Sequence, residues 1–362
     1  MIVRRLWLTD FRNHRSSEVS LDPHTTLVTG PNGHGKTNLL EAIAMLAGMK
    51  SFRGATPEAM VASGSDAAVV RAEVVKGGRE LLVEMEIATG RSRVQVNKQV
   101  LKRARDLADV VRVVVFSPDD LELVKGSPSL RRGLLDDVLS NVDVRFRQSR
   151  ADLDRVLRQR NNLLKQSGGR LSDEIESTLV VWDQKLVDAG EAVADRRADL
   201  IQTMQPIVAD YYARVAGAPE PVELIYDAPW RAEGLQAALL EQRRDELRRG
   251  ATLVGPHRDE LVISLNGLPA RTHASQGEQR SLALALRLAT HHYIEAIVED
   301  APLVLLDDVF SELDEGRATR LVACLPDAQI VITTATGTVP DGVQPGRSLE
   351  LRAGALVERA DG

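Results

Sequence analysis

Two stretches carry chemistry by residue type and spacing. Gly30-Pro31-Asn32-Gly33-His34-Gly35-Lys36-Thr37 fits GxxxxGK[ST], the P-loop pattern. Glycines let the backbone turn tightly with its N–H groups converging on an anion; the Lys36 ammonium would reach the β- and γ-phosphates, and the Thr37 hydroxyl would bind Mg²⁺. Far along the chain, Leu303-Val304-Leu305-Leu306 ends in Asp307-Asp308. Such an apolar run reads as a buried parallel strand, and carboxylates at its C-terminal end fall in the crevice where α/β sheets bind ligands. Asp307 would hold Mg²⁺ through water, and Asp308 would orient or deprotonate an attacking water. An acid-ended apolar run says little alone, but beside a P-loop it becomes the second half of a nucleoside triphosphate site.

A third stretch, Ser275-Gln276-Gly277-Glu278-Gln279-Arg280, precedes an almost wholly apolar run from Ser281 to Ala289. The spacing predicts a buried helix whose N-terminus could attract phosphate. Ser275 and Glu278 equally fit a capping box, and both readings use the same helix end.

The elements that must position these residues follow from periodicity. Thr26-Leu27-Val28-Thr29 is a short strand leading into the P-loop, and Leu39, Leu40, Ile43 and Ala47 recur at helical spacing after it. Residues 1–116 are rich in strand signals, with Gly77-Gly78 and Asn97-Lys98 as turns. At Phe116-Ser117-Pro118-Asp119-Asp120-Leu121 the pattern changes, and for about 100 residues only helical spacing is expected. Leu153, Val156, Leu157, Leu163 and Leu164 form one stripe. Ile175, Leu179, Trp182, Leu186, Ala189, Val193 and Leu200 form another. Joined at Ser167-Gly168-Gly169, they predict an antiparallel coiled-coil hairpin on the order of 30 Å long at 1.5 Å per residue. Pro206 and Gly217-Ala218-Pro219-Glu220-Pro221 should close this helical region. Strand signals return at Thr252-Leu253-Val254 and Leu261 to Leu265, with Asn266-Gly267 as a hairpin turn. The expected organisation is an α/β P-loop domain made of residues 1–116 and 250–362, interrupted by an inserted helical domain over 117–249.

Composition narrows the function classes. The 362 residues carry a net charge of -6, so nucleic-acid contact would need local basic patches. Candidates are Arg131-Arg132, Arg158 with Arg160, Arg196-Arg197, and Arg243-Arg244 with Arg248-Arg249; each reads at least as well as a solvated helix face. Aromatics are only 3%, which favours phosphate contacts over base stacking. The lone Cys324 excludes an internal disulfide and suits a reducing cytosol. No secretory signal and no run of about 18 apolar residues is present, so a cytoplasmic protein without a membrane span is expected. No Cys or His cluster suggests a metal other than Mg²⁺.

Ser275-Gln276-Gly277-Glu278-Gln279 resembles the signature motif of ABC-type ATPases. With the P-loop, Asp307-Asp308 and Ser311-Glu312-Leu313-Asp314, which resembles a D-loop, the ABC set stands in order. The chain further resembles the RecF family of DNA replication and repair proteins at seven places. These are Asp10 to His14, Gly30 to Glu41, Ser51-Phe52-Arg53, Ser117 to Leu121, Arg158-Gln159-Arg160-Asn161-Asn162-Leu163-Leu164, Gly255-Pro256-His257-Arg258-Asp259, and Ser275 to Leu288. The resemblance implies an ABC-type P-loop ATPase head with an inserted α-helical, coiled-coil-like arm, using ATP and Mg²⁺. It implies nucleotide contacts from Arg12, Asn13, Gly30, Pro31, Asn32, Gly33, His34, Gly35, Lys36, Thr37 and Asn38. Ser275, Gly277 and Gln279 would close over the ATP of a second subunit, and catalysis would rest on Lys36, Asp308 and Ser275. It also implies an ATP-dependent homodimer on gapped, duplex or single-stranded DNA, a RecR-type mediator as partner, and a role in recombinase loading, replication restart and SOS induction. Weak, DNA-stimulated hydrolysis would release the dimer. Asp308 stands where many ABC ATPases have glutamate, Thr333-Thr334 where a transporter has its switch histidine, and no Q-loop glutamine is found near Ser117. A transporter subunit would lack the helical insertion; a structural-maintenance protein would carry hundreds of coiled-coil residues in its place.

Overall fold

Alternation of apolar and polar residues builds the first sheet. In the computed structural model, which describes residues 1–335, 339–352 and 355–358, β1 (Ile2–Phe11) buries Val3, Leu6, Leu8 and Phe11 on one face. It pairs with β2 (His14–Ser20) and β4 (Ala67–Lys76), and β5 (Arg79–Ala88), β6 (Arg93–Val96) and β7 (Gln99–Val100) extend the sheet antiparallel in the order β2-β1-β4-β5-β6-β7. Gly77-Gly78 joins β4 to β5 with φ of 54° and 73°, and Asn97-Lys98 joins β6 to β7 with φ of 50° and 66°. Both central residues are left-handed, the backbone that two-residue hairpins need.

The second sheet has a different logic. It comprises β3 (Thr25–Thr29), β8 (Val113–Phe116), β12 (Leu303–Asp307), β13 (Ile330–Thr334), β14 (Arg347–Arg352) and β15 (Ala355–Glu358), ordered β15-β14-β3-β13-β12-β8. All neighbours are parallel except β15 on β14. Every residue of β12 and β13 is buried, which is why these strands read as unbroken apolar runs. Helix α1 (Lys36–Met45) follows the P-loop and shares one core with both sheets, including Leu39, Leu40, Ile43, Val70, Leu305 and Val331. Gln329 ties the sheets by hydrogen bonds: its amide accepts from Val3 N at 2.8 Å and donates to Val3 O and Asp22 O, both at 2.8 Å. A short helix, α2 (Pro57–Met60), precedes β4.

These elements belong to one compact unit, Met1–Asp120 with Tyr211–Pro219 and Leu284–Gly362; Leu121–Asp210 with Glu220–Ala283 form the other. The second unit opens with α3 (Leu121–Lys125) and α4 (Pro128–Val142). Asp143 then caps α5 (Val144–Gln166), accepting from Arg145 N at 2.7 Å and Phe146 N at 3.1 Å. A turn with Gly168 and Gly169 at positive φ leads from α5 into α6 (Asp173–Ala216). Pro206 lies inside α6 instead of ending it. Met204, Val208 and Tyr212 are buried on either side and carry the helix across the lost hydrogen bond. A third helix, α7 (Leu235–Arg249), packs against the hairpin, with Leu164, Leu179 and Leu247 in one apolar cluster.

The second unit also holds strands that the helical reading of residues 117–249 omits. β9 (Val222–Asp227) pairs with β10 (Glu260–Leu265), and the Asn266-Gly267 turn leads to β11 (Leu268–Pro269) in a separate three-stranded antiparallel sheet. The strand signal after residue 250 is therefore not a return to the first two sheets. After α8 (Ala270–His273) comes α9 (Gln276–Val298), and the chain rejoins the first unit at Leu284, within that helix. Helix α10 (Glu315–Cys324) lies between β12 and β13 in the chain. Among the described residues, no helix is long and apolar enough to cross a membrane.

Candidate nucleotide site

The P-loop connects β3 to α1 with Gly30, Gly33 and Gly35 at φ of 150°, 80° and 108°. Two of these glycines also have no room for a side chain. A Cβ at Gly30 would stand 2.4 Å from Leu351 O, and one at Gly35 would stand 2.4 Å from Asn13 Nδ2. Lys36 folds back over the loop, and its Nζ donates to Gly30 O at 2.7 Å, Pro31 O at 3.1 Å and Asn32 Oδ1 at 3.4 Å. Burial lowers the Lys36 pKa, with Asp308 and then Asp307 opposing it, so the ammonium belongs to the same electrostatic cluster as the two acids.

Parallel pairing of β12 with β13, and of β13 with β3, brings the C-terminal ends of these strands to the loop. Thr37 Oγ1 donates to Asp307 Oδ1 at 3.0 Å. Thr333 Oγ1 lies 2.8 Å from the same oxygen. Burial raises the Asp307 pKa against the hydrogen bonds from Thr333 and Thr37. Asp308 takes a left-handed backbone, φ 50° and ψ 27°, at the start of a 3-10 turn, and its Oδ1 is buried without a hydrogen-bond partner among the described residues. Oxygen donors on Thr37 and Asp307 fit Mg²⁺, which takes one or two carboxylates with substrate phosphates in place of an all-protein cage.

The remaining expected contacts divide. Asn13, from the turn between β1 and β2, donates to His34 O at 2.8 Å and accepts from Asn38 Nδ2 at 2.8 Å, so it braces the P-loop from outside. Arg12 pairs with Glu41 through two 2.8 Å hydrogen bonds and donates to Ala59 O. Glu41 is fully buried on α1 and also accepts from Ser51 Oγ. A carboxylate within Leu39-Leu40-Glu41-Ala42-Ile43 was the signal for such a partner, since a buried charge requires one. His14, buried beneath the loop, contacts Gly35 O at 3.2 Å.

Ser275, Gly277 and Gln279 lie in the second unit. Ser275 and Glu278 form the capping box: Ser275 N donates to Glu278 Oε2 at 2.6 Å, and Glu278 N to Ser275 Oγ at 3.3 Å. Ser275 is exposed at this helix end, whereas Gln279 is buried and donates to Ala270 O and Arg271 O. The Ser117 to Leu121 stretch also gains a role. Asp120 accepts from Ser117 N at 2.9 Å and from Arg287 Nη2 at 2.6 Å, fastening α9 to the end of β8.

Half of the ten candidate DNA-contacting arginines are internal, and Arg196, paired with Asp143, is among the exposed half. Arg160 is fully buried and donates to Asp183 at 2.7 Å, Glu246 at 2.6 Å and Thr252 Oγ1 at 2.8 Å. Arg131 forms a double hydrogen bond with Glu260, Arg197 does so with Asp136, and Arg243 pairs with Asp183. Arg132 donates to Asp259 O at 2.6 Å. Arg158, Arg244 and Arg249 are exposed, as is Arg248, which pairs with Asp245. Within Gly255 to Asp259, Arg258 is exposed and the others turn inward: Asp259 accepts from Tyr226 at 2.5 Å and Trp230 at 2.7 Å, and His257 contacts Thr252 O at 3.1 Å.

Two joined sheets, a P-loop on α1 and an acid pair at the end of β12 define an ABC-type ATPase head of the class found in SMC proteins. The family described as RecF/RecN/SMC N terminal domain matches residues 2–345. A "DNA replication and repair protein RecF" of Streptomyces avermitilis is 42% identical, over 98% of this chain and 99% of its own length. A solved structure of the recombination mediator protein RecF with ATP, in the RecFOR pathway, superposes with a TM-score of 0.91 at 28% identity, covering 99% of this chain and 98% of its own. The Smc head domain of Pyrococcus furiosus shares the fold at 16% identity and a TM-score of 0.56, over 98% and 95% of the two chains. The chain belongs to the RecF family of DNA replication and repair proteins.

Proposed function

We propose that the chain is an ATP-driven switch on DNA: it binds ATP with Mg²⁺ through its first unit, dimerises around the nucleotide at damaged or gapped DNA, and leaves after slow hydrolysis. The observation that carries this reading is the junction of Thr37 and Asp307, 3.0 Å apart, at the mouth of a loop whose lysine is held by Gly30 and Pro31. Phosphate would replace the carbonyls that hold Lys36, exchanging neutral acceptors for charged ones. Thr37 and Asp307 would hold Mg²⁺, which when bound neutralises phosphate charge. Asp308 would accept a proton from the attacking water, and its carboxylate reaches one methylene less than a glutamate would, consistent with a slow step.

The exposed helix end at Ser275 supports closure over the ATP of a second copy, because backbone N–H groups and the helix dipole there favour phosphate. DNA contact, a RecR-type mediator, service in recombinase loading, replication restart and SOS induction, and a cytoplasmic location come to this chain from its family. Fluorescent ATP titration and turnover, each with and without gapped duplex, test the reading. Wild type should bind in the micromolar range and hydrolyse slowly, faster with DNA, while Lys36→Arg should lose turnover. A wild type that binds no ATP at millimolar concentration would overturn it.

A further inference from the structure

Thr333 stands at the end of β13, directly opposite Asp307 in the parallel register, and is 1% exposed. Its hydroxyl has one proton, and three groups surround it. Asp307 Oδ1 is at 2.8 Å and Leu306 O at 3.4 Å, so the proton goes to the carboxylate. Asp308 N then donates to Thr333 Oγ1 at 3.1 Å, and also to Thr333 O at 3.2 Å.

This arrangement constrains both acids. Thr37 and Thr333 donate to the same Asp307 oxygen, so the carboxyl group cannot rotate without losing two hydrogen bonds. Among the described residues Asp308 has no side-chain anchor: it makes no capping bond to its own 3-10 turn, and Oδ1 is unpartnered. Its direction therefore comes from its backbone, held at a φ of 50° that an aspartate seldom adopts. The Thr333 hydroxyl and carbonyl grip the N–H of that residue.

We infer that Thr333 is a positioning residue for both carboxylates, its one hydroxyl orienting Asp307 for the metal by donation and Asp308 for the attacking water by acceptance. This rests on the ATP and Mg²⁺ reading above. A threonine at a buried strand end otherwise needs only shape, which valine keeps.

Thr333→Val and Thr333→Ser, each compared with wild type, test the hydroxyl: the Mg²⁺ dependence of ATP binding reads its hold on Asp307, and turnover at saturating Mg²⁺ reads its hold on Asp308. Fluorescent ATP binding is titrated in EDTA and then against Mg²⁺. For Thr333→Val we expect affinity in EDTA within about 2-fold of wild type, and a Mg²⁺ requirement for tight binding raised about 10-fold, the usual effect of removing a group that orients a metal ligand. Thr333→Ser should restore the wild-type Mg²⁺ dependence. Thr333→Ala carries the same comparison if the valine variant does not fold. An unchanged Mg²⁺ dependence in the hydroxyl-free variants, or a serine variant as impaired as they are, would overturn the inference alone. A wild type that binds no nucleotide would instead overturn the reading on which it rests.

Discussion

Asp308 is the residue on which turnover should depend most and binding least. It lies outside the hydrogen bonds that hold Lys36, yet its charge acts on that ammonium. Asp308→Asn should retain ATP affinity within about 3-fold and lose turnover by roughly 10²- to 10⁴-fold, the scale of removing a general base; nucleotide titration and phosphate release check the split. A second prediction concerns His291, 1% exposed with Nε2 3.0 Å from Pro302 O. Burial pushes its pKa down to about 4, so the folded chain binds fewer protons there than the unfolded chain, whose value lies near 6.5. Its contribution is therefore constant above about pH 6.5, falls as pH drops toward 4, and levels off below. The loss is at most on the order of 3 kcal/mol. Urea unfolding at pH 7 and pH 5 should show a smaller acid loss for His291→Gln than for wild type. At this scale the sequence reveals Lys36, Thr37, Asp307 and Asp308 because a spacing pattern carries them. Thr333 was legible only as standing where a transporter has its switch histidine, and its own role comes from the β12–β13 register.

Among the elements, the helical unit depends on arginines that resemble surface charges in the sequence. Arg160, beside the exposed Arg158, joins α5 to α6 and α7 through Asp183 and Glu246. Arg160→Ala leaves the buried Glu246 without its cation and Asp183 with Arg243 alone, and should destabilise this unit by about 3–5 kcal/mol. Arg158→Ala should stay within about 0.5 kcal/mol. Equilibrium denaturation followed by far-UV circular dichroism distinguishes them, and equal losses would show that Arg160 does not hold these helices. Helical spacing does separate the two residues, since Arg160 stands three and four residues from Leu157, Val156 and Leu164 on the apolar stripe and Arg158 lies off it; what spacing hides is the acidic partners on α6 and α7. The hairpin turns were legible because Gly77-Gly78 and Asn266-Gly267 have few other uses. β9 was not: at six residues between prolines it is too short to outweigh the helical stretches around it. Without β9, the partner of β10 was misplaced.

For the whole molecule, the P-loop half of the site is built within the first unit, whereas Ser275 belongs to the second and is exposed. On the proposed switch, the chain should turn over slowly alone and faster when a second copy supplies the Ser275 helix end. Ser275→Arg should therefore bind ATP like wild type and yet stay monomeric, because a bulky cation at that helix end opposes closure. Sequence motifs conveyed this division of labour only through their order along the chain, whereas the capping box at Ser275 was legible in the Ser275 to Glu278 spacing. The most direct test is the mass of Asp308→Asn by light scattering, with saturating ATP and Mg²⁺ and without nucleotide. We predict a dimer with ATP, a monomer without it, and a monomer in both conditions once Ser275→Arg is added. A single variant that remains monomeric with ATP bound, or a double variant that still dimerises, would contradict the switch.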